Sequence, residues 1–262
     1  MLVRIPKSIR DGILIGCQAD RGIGCDWVAA PLQRRAASRT NGMRKGCEGM
    51  QTQPGEAGAD LLQRVGERRF RTVLADPPWQ FENRTGKMAP EHKRLNRYAT
   101  LGLDEIVDLP VARIVEDTAH LYLWVPNALL PDGLRVLAAW GFAYKSNIVW
   151  HKVRKDGGPD GRGVGFYFRN TTELLLFGVR GRNARTLAPG RRQVNIIRSR
   201  KREHSRKPDE AYDLIEACSS GPFLEMFARG SRAGWQNWGS QADAYAPDWP
   251  TYAHHSQAAK TE

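Results

Sequence analysis

The tetrapeptide Asp76-Pro77-Pro78-Trp79 is where residue types and spacing in this sequence could do chemistry. It follows the run Thr72-Val73-Leu74-Ala75, which reads as the end of a strand. Each proline removes an amide donor and fixes φ, and a residue that precedes proline is pushed toward extended geometry. The loop is therefore stiff and rich in acceptors. The Asp76 carboxylate and the Pro77 carbonyl can accept hydrogen bonds from an aromatic amine, and Trp79 offers a face for stacking. An aromatic amine is a weak nucleophile because its lone pair is delocalised into the ring. Acceptors that hold its N–H groups aim the nitrogen at an electrophile and stabilise the positive charge that develops there.

The elements that must hold this loop follow from the pattern of the chain. From Phe70 onward, short apolar and β-branched runs alternate with amphipathic stretches, which predicts strand and helix units around a largely parallel sheet. Strands are predicted over Phe70–Ala75, His120–Val125, Tyr144–Trp150, Thr172–Val179 and Pro222–Phe227, the last taken as the final core strand. Helices are predicted over Leu134–Trp140, ended by Gly141, and from Pro208 to Gly221. Open α/β sheets place ligand crevices at the carboxyl ends of their strands, where this loop would sit.

The 262 residues carry 40 Lys and Arg against 28 Asp and Glu, a formal net charge of +12 that makes a polyanion the expected partner. Residues 1–55 keep no period and read as a disordered extension or as sequence upstream of a true start at Met50. The organised domain is expected over 56–242, with a flexible tail at 243–262. No apolar run is long enough for a membrane span, and no secretory signal is legible. The cysteines, Cys17, Cys25, Cys47 and Cys218, match no metal or redox spacing, and His120, His151 and His204 match none either, so no metal is expected and the compartment reads as cytoplasmic. Cys218 reads as a small buried hydrophobe. Arg191 to Lys207 holds eight Lys or Arg residues and reads either as a phosphate-contacting segment or as a solvated face. The glycine-rich run Lys152 to Gly165 and the basic stretch Gln80 to Arg97 are expected to be mobile loops beside a substrate.

Several ordered landmarks resemble the MT-A family of adenine-N6 methyltransferases. They are Ala75 to Trp79, Tyr98 to Ile106, Leu121 to Val125, Trp140 to Phe142, Ile148 to Lys152, Glu173 to Gly178, His204 to Glu210, Glu225 to Arg229 and Trp238 to Gln241. The resemblance covers roughly residues 58 to 242. It implies an α/β, Rossmann-like methyltransferase sheet with helices on both faces, in circularly permuted order, the catalytic loop early and the cofactor strand late. It further implies methyl transfer from S-adenosylmethionine to N6 of adenine in nucleic acid, with DNA favoured over RNA. Non-catalytic nucleic-acid-binding subunits and N4-cytosine methyltransferases share much of this pattern and stay open as alternatives, as does a homo- or heterodimer.

Carried over position by position, the resemblance makes Asp76, Pro77, Pro78 and Trp79 catalytic and sets Tyr98, Trp124, Trp150 and Glu173 beside the target base. For the cofactor it implies Lys207, Arg229, Ser231, Arg232, Ser240 and Gln241, with Asp60 and Leu61 toward the adenine. Two departures stand out. Ser240 occupies a place where the family usually has Asn, and Ser231-Arg232 replace a His-Asn pair of the eukaryotic enzymes.

Overall fold

The computed structural model describes residues 55–80, 101–161, 167–201 and 206–242. The expectations for the extension, the tail, the loop after Gln80, Tyr98 and His204 lie outside the described residues.

The chain order is α1 (Glu56–Val65), β1 (Phe70–Ala75), α2 (Leu103–Val107), α3 (Val111–Ile114), β2 (Val115–Val125), α4 (Leu130–Ala139), β3 (Ala143–Val153), β4 (Thr172–Arg180), β5 (Ile196–Arg200), α5 (Glu210–Cys218), β6 (Phe223–Met226) and β7 (Trp235–Trp238). The strands form one seven-stranded sheet in the order β5-β3-β4-β2-β1-β6-β7. β4 pairs antiparallel with both β2 and β3, while every other pairing is parallel. The sheet is thus largely parallel, as the sequence predicts. No helix among the described residues is long and apolar enough to cross a membrane.

Alternation along the central strands fills both faces. Val73, Leu121, Leu123 and Val125 pack with Leu61 and Val65 of α1, Ile106 of α2 and Val136 and Leu137 of α4. The intervening Leu74, Tyr122 and Trp124 point the other way, onto Ala211, Tyr212 and Ile215 of α5. From Thr72 to Ala75 both faces of β1 are buried, which explains the run Val73-Leu74-Ala75, while Arg71 is exposed at its start. Each fully buried aliphatic side chain contributes about 1.5–3 kcal/mol. The contact between α4 and β2 is close: a Cβ at Gly133 would lie 2.5 Å from a methyl of Val125, so Gly133→Ala would force the helix off the sheet.

β2 begins at Val115 instead of His120 and β3 runs on to Val153 instead of ending at Trp150, and four further differences from expectation have local reasons. α4 begins one turn early because Pro131 and Asp132 suit a first helical turn, and it ends as predicted at Gly141, where φ is 85°. α5 starts at Glu210, after Arg206 pairs with Asp209 at 3.1 Å, and stops at Cys218 with Ser219 as its cap, before Gly221. Pro222–Phe227 does not close the sheet, because β7 adds parallel to β6 at the edge. Ile196–Arg200, read as part of a basic segment, is a strand whose Ile197 and Ser199 face inward while Ile196, Arg198 and Arg200 face out. Cys218 is buried, as expected of a small hydrophobe.

Candidate functional site

β1 and β6 lie side by side, yet the chain leaves β1 toward β2 on one side and β6 toward β7 on the other. Their carboxyl ends therefore open a crevice at a topological switch point. Asp76 sits on its lip, and its N–H reaches the Met226 carbonyl at 3.4 Å.

The loop after Asp76 is fastened at its far end. The Trp79 N–H donates to the Pro77 carbonyl at 2.8 Å, and the Trp79 indole N–H donates to the Trp124 carbonyl at 2.9 Å. Trp79 is only 7% exposed. Its ring is part of the core under the loop, so the expected stacking on a base gives way to an anchoring role. The Pro77 carbonyl, having accepted one bond, keeps one lone pair for an outside donor.

A chain of charges runs into the crevice. The Lys207 ammonium lies 2.9 Å from Asp76 Oδ1 and 2.9 Å from Glu173 Oε1, and the Lys152 ammonium lies 2.7 Å from Glu173 Oε2. β3 delivers Lys152 at its carboxyl end, and antiparallel β4 delivers Glu173 at its amino end, so both meet at the end of the sheet that carries Asp76. Burial alone would push the Glu173 carboxyl up, but two flanking ammonium groups outweigh it and hold the pKa at about 2. For Lys207 burial works against the charge, and Asp76 and Glu173 reverse the balance and raise its pKa. At Asp76 burial wins: its carboxyl titrates above the ordinary range despite Lys207. Lys152 is lowered by burial, with Glu173 opposing.

The aromatic candidates lie beneath this network. Trp124 and Trp150 are 1% and 3% exposed, meet edge to face at 6.1 Å, and pack under Lys207 and Lys152 at 5.6 and 4.6 Å from their ring centres. They support the charged groups instead of presenting a face to a substrate. The Trp150 N–H donates to Ser199 at 2.9 Å, whereas the buried Trp124 N–H has no hydrogen-bond partner.

On the other side of the crevice, β6 is followed by Phe227, whose φ of 61° is rare for a bulky residue. The turn is tied to β7 by the Ala228 N–H, which donates to the Trp238 carbonyl at 2.9 Å. It directs Arg229 to Gln241, whose side-chain oxygen accepts from Arg229 Nε at 3.2 Å. Asp60 accepts from the Trp238 indole at 2.7 Å and so borders the same region, while Leu61 beside it has no exposed surface and belongs to the core. Ser231 is half-buried after this turn and Ser240 is exposed. Arg232 turns instead toward α5, 4.3 Å over the Tyr212 ring and 3.7 Å from Asp213.

Two residues escaped the sequence reading. Lys152 carried a signal, a lysine just after the apolar run Ile148-Val149-Trp150 near the end of β3. Glu225 lies next to Met226 on β6, accepts from the Tyr212 hydroxyl at 2.8 Å, and has its second oxygen buried without a partner. Burial raises its pKa to about 7 although the Tyr212 bond opposes this.

The sheet order, with its single antiparallel strand and a loaded switch point, defines a Rossmann-like methyltransferase fold. The MT-A70 family profile matches residues 70–241, and the chain belongs to that family of adenine-N6 methyltransferases. The chain is 26% identical over 196 residues to the type II methyltransferase M.MunI of a Mycoplasma species, covering 69% of this chain and 81% of that protein. It is 31% identical over 179 residues to the human N(6)-adenosine-methyltransferase catalytic subunit METTL3, and 31% identical over 182 residues to an MT-A70-like putative N(6)-adenosine-methyltransferase of Medicago truncatula. These matches cover 67% and 66% of this chain but only 28% and 26% of those proteins, so the chain spans about a quarter of its longer relatives.

Proposed function

We propose that this chain transfers a methyl group from S-adenosylmethionine to N6 of adenine in DNA. The observation that carries the reading is the Asp76 carboxylate, fixed at the carboxyl end of β1 by Lys207, with the Pro77 carbonyl beside it. The donor set suits the cofactor. Lys207 and Arg229 are cations for its carboxylate, while Asp76 and the unpartnered oxygen of Glu225 are acceptors for its ammonium and ribose hydroxyls. Bound there, it supplies an electrophilic methyl group on a sulfonium.

Asp76 and Pro77 accept the two N–H bonds of the adenine amine and turn its lone pair toward the incoming methyl carbon. The methylated amine would carry one surplus proton, which Asp76 or water would accept. Trp79 keeps the loop from drifting, because its anchor to Trp124 lies outside the reacting layer. An adenine inside a duplex must leave the stack to reach this crevice. The match over most of a bacterial type II methyltransferase supports DNA over RNA.

The test incubates the protein with radiolabelled S-adenosylmethionine and DNA or RNA oligonucleotides, followed by mass spectrometry of digested nucleosides. N6-methyladenine appears from DNA in preference to RNA, and Asp76→Ala lowers kcat/KM about 10²–10³-fold or more. N4-methylcytosine as the product, or equal rates with Asp76→Ala, would overturn the reading. A protein that binds the nucleic acid but neither binds nor turns over the cofactor would be a non-catalytic subunit.

A further inference from the structure

Tyr167 and Phe168 stand almost free of the protein, 94% and 83% exposed, whereas Trp79, Trp124 and Trp150 by the crevice are buried. Arg169 follows them directly and donates to the Gly161 carbonyl at 3.2 Å. The same turn is gripped from β5, where Arg198 donates to the Gly157 carbonyl at 3.4 Å and Lys201 lies 3.7 Å from Asp160. Arg154, Lys155 and Arg200 border these residues in the chain, so six cations face two carboxylates, Asp156 and Asp160. Two adjacent exposed rings set among these cations join π-faces to positive charge on one surface.

Asn127, just past β2, donates to the Thr172 carbonyl at 3.1 Å and holds the start of β4 beside the crevice. Tyr167 precedes Glu173 by six residues, which bounds its backbone to about 20 Å from that of Glu173. This stretch of chain thus enters β4 from the end of the sheet that carries Asp76.

Extending the function proposed above, we infer that Tyr167 and Phe168 form a stacking platform for unpaired nucleotides flanking the target base, with Arg169, Arg198 and Lys201 holding the phosphates. Any base offers a π-face, so the platform is tolerant of sequence, and the cations follow the backbone. It would keep an extruded strand beside the crevice without reading bases.

The experiment measures anisotropy of fluorescent oligothymidylate of about twenty nucleotides with the full chain, since stacking surfaces accept any base. This probe contains no adenine and needs no cofactor, so failure of the methyl-transfer reading leaves the result interpretable. Y167A/F168A is expected to weaken binding about ten- to hundredfold, and Y167W/F168W to preserve it. Arg169→Gln and Lys201→Gln are each expected to lower the slope of log affinity against log salt by about one. Unchanged affinity in Y167A/F168A, or unchanged salt slopes, would overturn the inference. So would a wild-type dimer that Y167A/F168A dissociates with oligothymidylate affinity intact, since the rings would then cover a second copy of the chain.

Discussion

Two ion-paired regions at opposite ends of the sheet have similar lengths and different characters. At the amino end of β1, Arg71 meets Glu116 at 2.6 Å, with side chains 54% and 32% exposed. At the carboxyl end, Lys152, Glu173 and Lys207 meet at 2.7–2.9 Å with exposures of 13–16%. Distance alone would rank the two alike. Water screens the first pair and competes for its hydrogen bonds, whereas the second has surrendered its hydration and depends on its partners. The crevice holds charge by mutual support: each ammonium is tolerable because a carboxylate faces it.

Removing the shared carboxylate should break that difference most severely. Glu173→Gln leaves Lys152 without an anion and Lys207 with Asp76 alone, and is expected to cost about 3–5 kcal/mol in urea unfolding at pH 7. The cost should shrink in acid. The folded pKa of Glu173 is about 2 against an ordinary 4.5, so its contribution is fully present above about pH 4.5 and is lost as pH falls toward 2. Wild type and Glu173→Gln should therefore converge in that window, and a constant gap would show that the pairing is not the source.

Glu225 sharpens the contrast with the opposite sign. Its folded pKa of about 7 lies above its ordinary 4.5, so ionising it in the fold costs stability as pH rises through that interval. Glu225→Gln, which can still accept from Tyr212, should gain on the order of 2–3 kcal/mol above pH 7 and lose the slope between pH 4.5 and 7. Thermal unfolding of the unliganded protein across that range reads both. The smallest effect belongs to the exposed pair: Arg71→Gln should change stability by about 1 kcal/mol or less and lose even that in high salt.

How much of this was legible in the residues depends on where the determining partner lies. β1, β4 and the Asp76 loop announce themselves, because Val73-Leu74-Ala75 and Leu174-Leu175-Leu176 are the apolar runs that a buried strand demands and a pair of prolines must end β1. β7 did not, since Trp235-Gln236-Asn237-Trp238 is short and becomes a strand only by pairing with β6. β5 hid its alternation, Ile197 and Ser199 in, Arg198 and Arg200 out, beneath a run of positive charge. For Trp79 the sequence showed an aromatic ring in the right loop but not its direction, which the Trp124 carbonyl decides. The charge chain from Lys152 to Asp76 joins residues from four separate stretches, and no local pattern records it.

The reversed course of β4 has an evolutionary consequence. Because β3 and β4 are antiparallel neighbours, the chain leaves β3 and enters β4 at the same end of the sheet, beside the crevice, and need not cross the sheet between them. The length and composition of this connection can change without re-routing any strand, while Lys152 and Glu173 at its two ends keep their places. A lineage of such proteins can therefore diversify what it grips by rewriting this one connection, and an engineer can exchange it between relatives while leaving the chemistry of Asp76 untouched.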